Sequence, residues 1–182
     1  MTGVVHPMQT EILAAQSSNA AEVAQQILAP IDTAVFYQKH MTHHMVDGVP
    51  RNWISEVTNV FLIRHPARVV ASYAKKREGP TLDDIGFHQQ AELFDYVCAL
   101  GKKPVVIDSH DIRRDPEGMM RKLCAAIELS WDAGMLHWPS GGHASDGAWA
   151  SHWYGAVHRS NGFADTEGDF PYLESDYAEI AA

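Results

Sequence analysis

The sequence predicts an α/β domain with a mostly parallel sheet. Two segments carry the prediction, each running from a short apolar strand through a polar turn into a helix opened by proline. The first is residues 59–76, NVFLIRHPARVVASYAKK, and the second is residues 104–129, PVVIDSHDIRRDPEGMMRKLCAAIEL. Between them Thr81 and Asp84 have the spacing of a capping box, and Phe87, Ala91, Phe94 and Cys98 continue a helical stripe that stops near Gly101. Strands that alternate with helices in this way call for a parallel sheet with helical crossovers.

Residues 7–16 and 19–28 read as two short helices, the second capped by Asn19 with Glu22 at the third helical position. Val35, Phe36 and Tyr37 are strand-like, so residues 33–39 are expected to form a strand. In the first of the two central segments Val60, Phe61, Leu62 and Ile63 make a continuous apolar run, suited to a strand buried on both faces. Arg64 follows at its carboxyl end, where open α/β sheets take ligands, and Pro66 suits the first position of a helix. Along that helix Val69, Val70, Tyr73 and Ala74 face inward, while Arg68, Ser72 and Lys75 share a polar stripe. In the second segment Val105 to Ile107 is a strand, Asp115 an N-cap with Pro116 after it, and Met119, Met120, Leu123, Cys124 and Ile127 an apolar helical face.

At 182 residues and 46% hydrophobic content the chain suits one domain, residues 1–182, with no repeat or low-complexity linker. A net charge of −9 argues against a nucleic-acid partner, although basic residues gather in residues 64–77 and 113–122 and suit a small anionic ligand. Neither a membrane span nor a signal peptide is legible, and two cysteines on amphipathic helices suggest buried thiols in a reducing compartment, hence a cytoplasmic protein. Self-association is left open.

These two segments resemble the sulfotransferase family, which moves sulfuryl groups from 3′-phosphoadenosine 5′-phosphosulfate (PAPS). In that family a strand ends in Arg, then Asp or Asn, then Pro, with a Ser eight residues after the Arg; Arg64, Pro66 and Ser72 match, and His65 replaces the acid or amide. The resemblance makes Arg64 and Ser72 ligands of the nucleotide 3′-phosphate. His110, Asp111 and Ile112 stand where the family has a Glu-Asp-Leu-like turn, followed by its Asp-Pro helix start at Asp115 and Pro116. It implies a P-loop-like three-layer α/β domain, the PAPS donor, no metal, and a small hydroxyl or amine acceptor.

Sulfuryl transfer needs in-line attack, removal of the acceptor's proton, and a cation beside the leaving phosphate oxygen. By resemblance Lys39 supplies the cation and His40 or His43 the base, with an intrinsic pKa suited to proton transfer; the family's base lies two residues after its Lys, where this chain has Met41. Wound into a helix, His40, His43 and His44 at i, i+3 and i+4 also form a candidate transition-metal set. No acidic or cysteine ligand joins them at a convincing spacing, which favours an active-site or plain polar loop. Later, residues 141–163 are rich in Gly, Trp and His, and Gly147, Ala148 and Trp149 partly echo the family's nucleotide-closing loop. Trp149, Trp153 and Tyr154 are candidates to stack on adenine or an aromatic acceptor, with His152 and Arg159 at the rim, and the competing reading is that they cap a small core.

The family begins with a strand and phosphate loop that this sequence does not contain, so the domain is expected to be incomplete at its N-terminal edge. That strand would lie between residues 33–39 and 59–64, leaving a slot of roughly 9–10 Å, twice the usual strand spacing. The slot is expected to close by direct pairing, to be filled by another chain, or to reflect a sequence that is a piece of a longer one, the last being favoured. Two functions follow: a nucleotide-binding sulfotransferase, or a non-catalytic nucleotide-binding or assembly protein that has lost the donor loop. A metal-binding histidine cluster is a minor third.

Overall fold

The computed structural model describes residues 8–75 and 81–182, so Pro7, Lys76 and Arg77 lie outside the described residues. Two short helices come first, α1 at Gln9–Ala15 and α2 at Ala20–Ile27. Asn19 caps α2 by accepting the amide N–H groups of Ala21 and Glu22, as its side chain and position require. Ala24 and Ile27 of α2 pack against a core of Met45, Trp53, Ile54, Leu93 and Val97, which Val49, Val57, Phe61 and Tyr96 extend.

Strand β1 spans Val60–Ile63 and pairs in parallel with β2, Val105–Asp108, Val60 standing opposite Val105 and Ile63 opposite Asp108. The connection carries, among the described residues, α3 at Pro66–Ala74, α4 at Leu82–Ile85 and α5 at Phe87–Ala99. After β2 come α6, Ser109–Arg114, and α7, Pro116–Ala126. The remainder forms a 3-10 turn at Ala133–Leu136, α8 at Ala150–Trp153, α9 at Gly155–His158 and α10 at Ser175–Ala181, which packs on α3. A parallel pair with a helical crossover agrees with an α/β fold, and none of the described helices is long and apolar enough to cross a membrane.

The local signals behave as the sequence indicates. Thr81 and Asp84 form a reciprocal capping box at α4, and Asp115 caps α7 through the Gly118 N–H with Pro116 in its first turn. Val70 on α3 is fully buried, and Cys124 is buried within the apolar face of α7.

Three expectations need correction. Residues 33–39 form no strand: Val35, Phe36 and Tyr37 are 52%, 53% and 83% exposed, because among the described residues no neighbouring strand offers a ladder and β-propensity alone does not hold an extended segment. For the same reason β1 is not buried on both faces; Leu62 is 55% exposed in a sheet that has two strands among the described residues. The buried stripe of α5 is Leu93 and Val97, whereas Ala91 and Cys98 are exposed, so one of the two thiols is open to solvent. That helix has apolar residues on more than one side, and contact with Trp53 and Ile54 selects which side turns inward.

Candidate anion-binding site

Arg64 leaves the end of β1 just as the chain turns into α3. His65 takes the place of the family's acid or amide and does its structural work: its Nδ1 accepts the Ala67 N–H at 3.3 Å and caps α3. The first free amide of α3 is therefore occupied by a side chain rather than left for a ligand. One turn along, Arg68 lies on the helix face that also carries Ser72, which is exposed. Arg113 arrives from α6, directly after β2, so the ends of the two paired strands bring three guanidinium groups together.

All three meet a single carboxylate. Glu167 Oε1 accepts from Arg64 and lies 2.8 Å from Arg113, while Oε2 lies 3.3 Å from Arg68 Nε. The last approach is an ion pair by distance without hydrogen-bond alignment, so Oε2 is buried with no donor. The Glu167 side chain is only 5% exposed. Burial raises its pKa, but the Arg64 hydrogen bond and the charges of Arg64, Arg68 and Arg113 outweigh that, so the carboxyl titrates below its ordinary range. The strap around it is tied to the same arginines. Arg113 Nε donates to the Asp165 carbonyl at 2.7 Å, Arg68 donates to the Gly168 carbonyl, and the Phe170 ring packs 4.7 Å from the Arg68 guanidinium and 4.3 Å from the His65 ring.

The loop that the sequence proposes as catalytic rests on a different set of contacts. Thr42–His44 form a 3-10 turn rather than the helix a metal set would need, and among the described residues no three His, Cys, Asp or Glu side chains group as metal ligands. The turn is docked by Thr42 Oγ1, which donates to the Gly86 carbonyl at 2.9 Å. Gly86 has φ of +71°, and a Cβ there would meet Thr42 Oγ1 at 2.7 Å, so glycine is needed for both backbone and space.

His40 is held more specifically. Gln38 Nε2 donates to the Ile27 carbonyl at 2.9 Å, which orients the amide so that its Oε1 faces His40 Nε2 at 3.0 Å. A carbonyl oxygen only accepts, so a neutral His40 carries its proton on Nε2 and leaves Nδ1 as the basic nitrogen. Its ring packs 5.0 Å from Trp53, and partial burial lowers its pKa. His43 meets the edge of His44 at 4.3 Å. Lys39 Nζ sits 5.6 Å from the centroid of Tyr154, which brings the proposed leaving-group cation to the late aromatic loop.

That late loop is an organised structure. The Trp138 N–H donates to Asn161 and the Gly141 N–H to His158, His137 bridges Gly162, and Asp146 Oδ2 joins His158 Nε2 at 2.8 Å. The His143 backbone bond, followed by the His158 bond, holds the Asp146 pKa below its ordinary value. Trp149 folds onto Gly147, where an added Cβ would collide with the indole at 2.2 Å. The structure thus joins Arg64 to Arg68 and Arg113, and Lys39 to Tyr154, while Trp149 packs within its own loop. Neither Glu167 nor the role of Arg113 is foreseen in the sequence reading. The available signal was two basic segments in an acidic chain, whose charges need a nearby acid, and the run from Asp165 to Asp169 supplies acids.

A family model described as "Sulfotransferase domain" matches residues 1–182. Among curated proteins the chain is 30% identical to the "Branched-chain-amino-acid aminotransferase-like protein 2" of Arabidopsis thaliana, over 182 residues that cover 98% of this chain and 32% of that protein. It is 31% identical to "Branched-chain-amino-acid aminotransferase-like protein 1" of the same plant, over 164 residues covering 90% of this chain and 29% of the relative. The chain therefore spans about a third of the curated relatives it matches. No solved structure matches.

Proposed function

This chain belongs to the sulfotransferase domain family, and on that premise we propose that the arginine pocket at the strand ends binds the 3′-phosphate of an adenine nucleotide. The observation that supports the reading is the convergence of Arg64, Arg68 and Arg113 on one buried carboxylate, an anion already seated where a phosphate would sit. Guanidinium forks match phosphate as they match carboxylate, so these residues fit the group. Arg64 and, at the rim, Ser72 would hold it. When bound, PAPS supplies the activated sulfuryl group. Lys39, beside Tyr154, would supply a cation for the negative charge that develops on the donor's phosphate oxygen. His40 accepts the acceptor's proton at Nδ1, since Gln38 fixes the proton of the neutral ring on Nε2 and burial keeps the ring neutral to lower pH. His43 is the second candidate for that step. The acceptor is a small hydroxyl or amine compound, Trp149 and its loop form one wall of the nucleotide site, and two free cysteines fit a cytoplasmic setting.

A second reading is a non-catalytic nucleotide-binding or assembly role. It draws on the edge of β1 that no described residue pairs and on the exposure of Leu62, Val35 and Phe36, apolar surface that another strand, from a partner or a second copy, would cover. Turnover of PAPS by this chain with a panel of small phenols, alcohols and amines separates the two. The first reading expects sulfated product that disappears in His40→Ala, and nucleotide binding without any product supports the second.

A further inference from the structure

Building on the reading of Arg64 as an anion ligand, we propose that Arg64, Arg68 and Arg113 form one pocket for a tetrahedral phosphate dianion, and that Glu167 occupies it as an internal competitor which the ligand displaces. Charge is the first argument. Three guanidinium groups contact one carboxylate, an excess of two positive charges among the groups in contact, and Asp111 on α6 is engaged with Arg114 at 3.2 Å. A phosphate monoester dianion in the carboxylate's place halves that excess, to about one. Shape is the second. A carboxylate has two oxygens in one plane, and one of them, Glu167 Oε2, is buried without a donor although Arg68 stands 3.3 Å away. A tetrahedral ligand offers three oxygens in different directions, enough to align with all three forks.

Position is the third argument. The arginines belong to the ends of β1 and β2 and the turns that follow them, whereas Glu167 arrives 103 residues after Arg64 on a strap without helix or strand. The strap is held by the site itself: Asp165, Glu167 and Gly168 bind Arg113, Arg64 and Arg68, and Phe170 packs on Arg68 and His65. An anion that takes the arginines from Glu167 removes the bonds that fasten residues 165–170. Affinity in the native chain is thereby reduced by the fraction of molecules in which Glu167 has left the pocket.

The test titrates the native chain, Glu167→Gln and Arg113→Ala by calorimetry with inorganic phosphate and with adenosine 3′,5′-bisphosphate, and follows amide exchange of residues 165–170 in the native chain as phosphate is added. Glu167→Gln is expected to bind phosphate at least about tenfold tighter than the native chain, and Arg113→Ala at least about tenfold weaker. Exchange in residues 165–170 is expected to speed up on phosphate addition, a readout that serves even if Glu167→Gln does not fold. Unchanged or weaker phosphate binding by folded Glu167→Gln, no phosphate binding by either protein, or slowed exchange overturns the proposal. Tighter phosphate binding by Glu167→Gln without any bisphosphate binding upholds the internal competitor and removes the nucleotide reading. Bisphosphate binding indifferent to both substitutions does the reverse.

Discussion

The strand ends and the loop of residues 35–44 both carry cationic and polar groups, yet they are held in opposite ways. At the strand ends Arg64, Arg68 and Arg113 are fixed by β1, α3 and α6 and share one buried carboxylate. In the loop Lys39 rests on the face of one tyrosine, His40 leans on Gln38 and Trp53, and the apolar residues before them are open to solvent. Regular elements place charges relative to one another without help from a ligand. A loop acquires its geometry from whatever docks it, here Gly86 and Tyr154, so its chemistry depends on neighbours distant in sequence.

If that contrast is right, the two regions respond unequally to truncation. Val70→Ala removes a fully buried side chain from the helix that carries Arg68, and it is expected to cost about 1.5–3 kcal/mol in thermal or denaturant unfolding. Phe36→Ala, at 53% exposure, should change stability by no more than about 0.5 kcal/mol. A Phe36→Ala cost comparable to that of Val70→Ala would mean that residues 35–37 are covered in solution, and the contrast would collapse.

Gly86→Ala probes the docking of the loop alone. A left-handed backbone costs a residue with a Cβ about 1–2 kcal/mol, and the clash with Thr42 Oγ1 adds to it. Sulfuryl transfer should fall sharply while bisphosphate affinity stays within about twofold, because the arginines do not rest on Gly86. Equal losses of both would show that the two regions are one unit.

Acid separates the regions by their titrating groups. The Glu167 pKa is depressed in the folded chain, so its contribution to stability is present above the ordinary carboxyl value of about 4.3 and is lost as pH falls through the lower folded value. Glu167→Gln should remove that part of the acid transition measured by tryptophan fluorescence. An identical acid profile in the variant would mean that the arginine contacts contribute nothing to holding the strap. In the loop the burial of His40 lowers its pKa, so activity should persist somewhat below the ordinary value of about 6.5 before falling. Trp53→Ala, which opens the ring to water, should move that fall upward; a profile unmoved by Trp53→Ala would assign proton transfer to another group.

What the sequence disclosed follows the same division. Caps and periodicity are local, so β1, α3, β2 and α7 could be read from Pro66, Asp115 and the apolar runs around them. Arg64 was legible because a strand end, a proline and a helix follow one another within a few residues. Its partner was not, since nothing near Arg64 in sequence points to an acid 103 residues later. The inward side of α5 was only partly legible: Phe94 meets Phe61 beside the core, but Ala91 and Cys98 face solvent, and contact with Trp53 and Ile54 turns Leu93 and Val97 inward instead. Val35 to Tyr37 misled for a related reason: strand propensity becomes a strand only when another strand pairs with it.

The central claim, that the strand-end arginines bind the 3′-phosphate of an adenine nucleotide, is tested most directly by calorimetric titration of adenosine 3′,5′-bisphosphate into the native chain, Arg64→Ala and Ser72→Ala. The account predicts saturable binding, with Arg64→Ala costing about 1.5–3 kcal/mol as a charge-assisted bond and Ser72→Ala about 0.5–1.5 kcal/mol as a neutral hydroxyl. Absence of binding at millimolar ligand, or losses that are equal or negligible in the two variants, would contradict it.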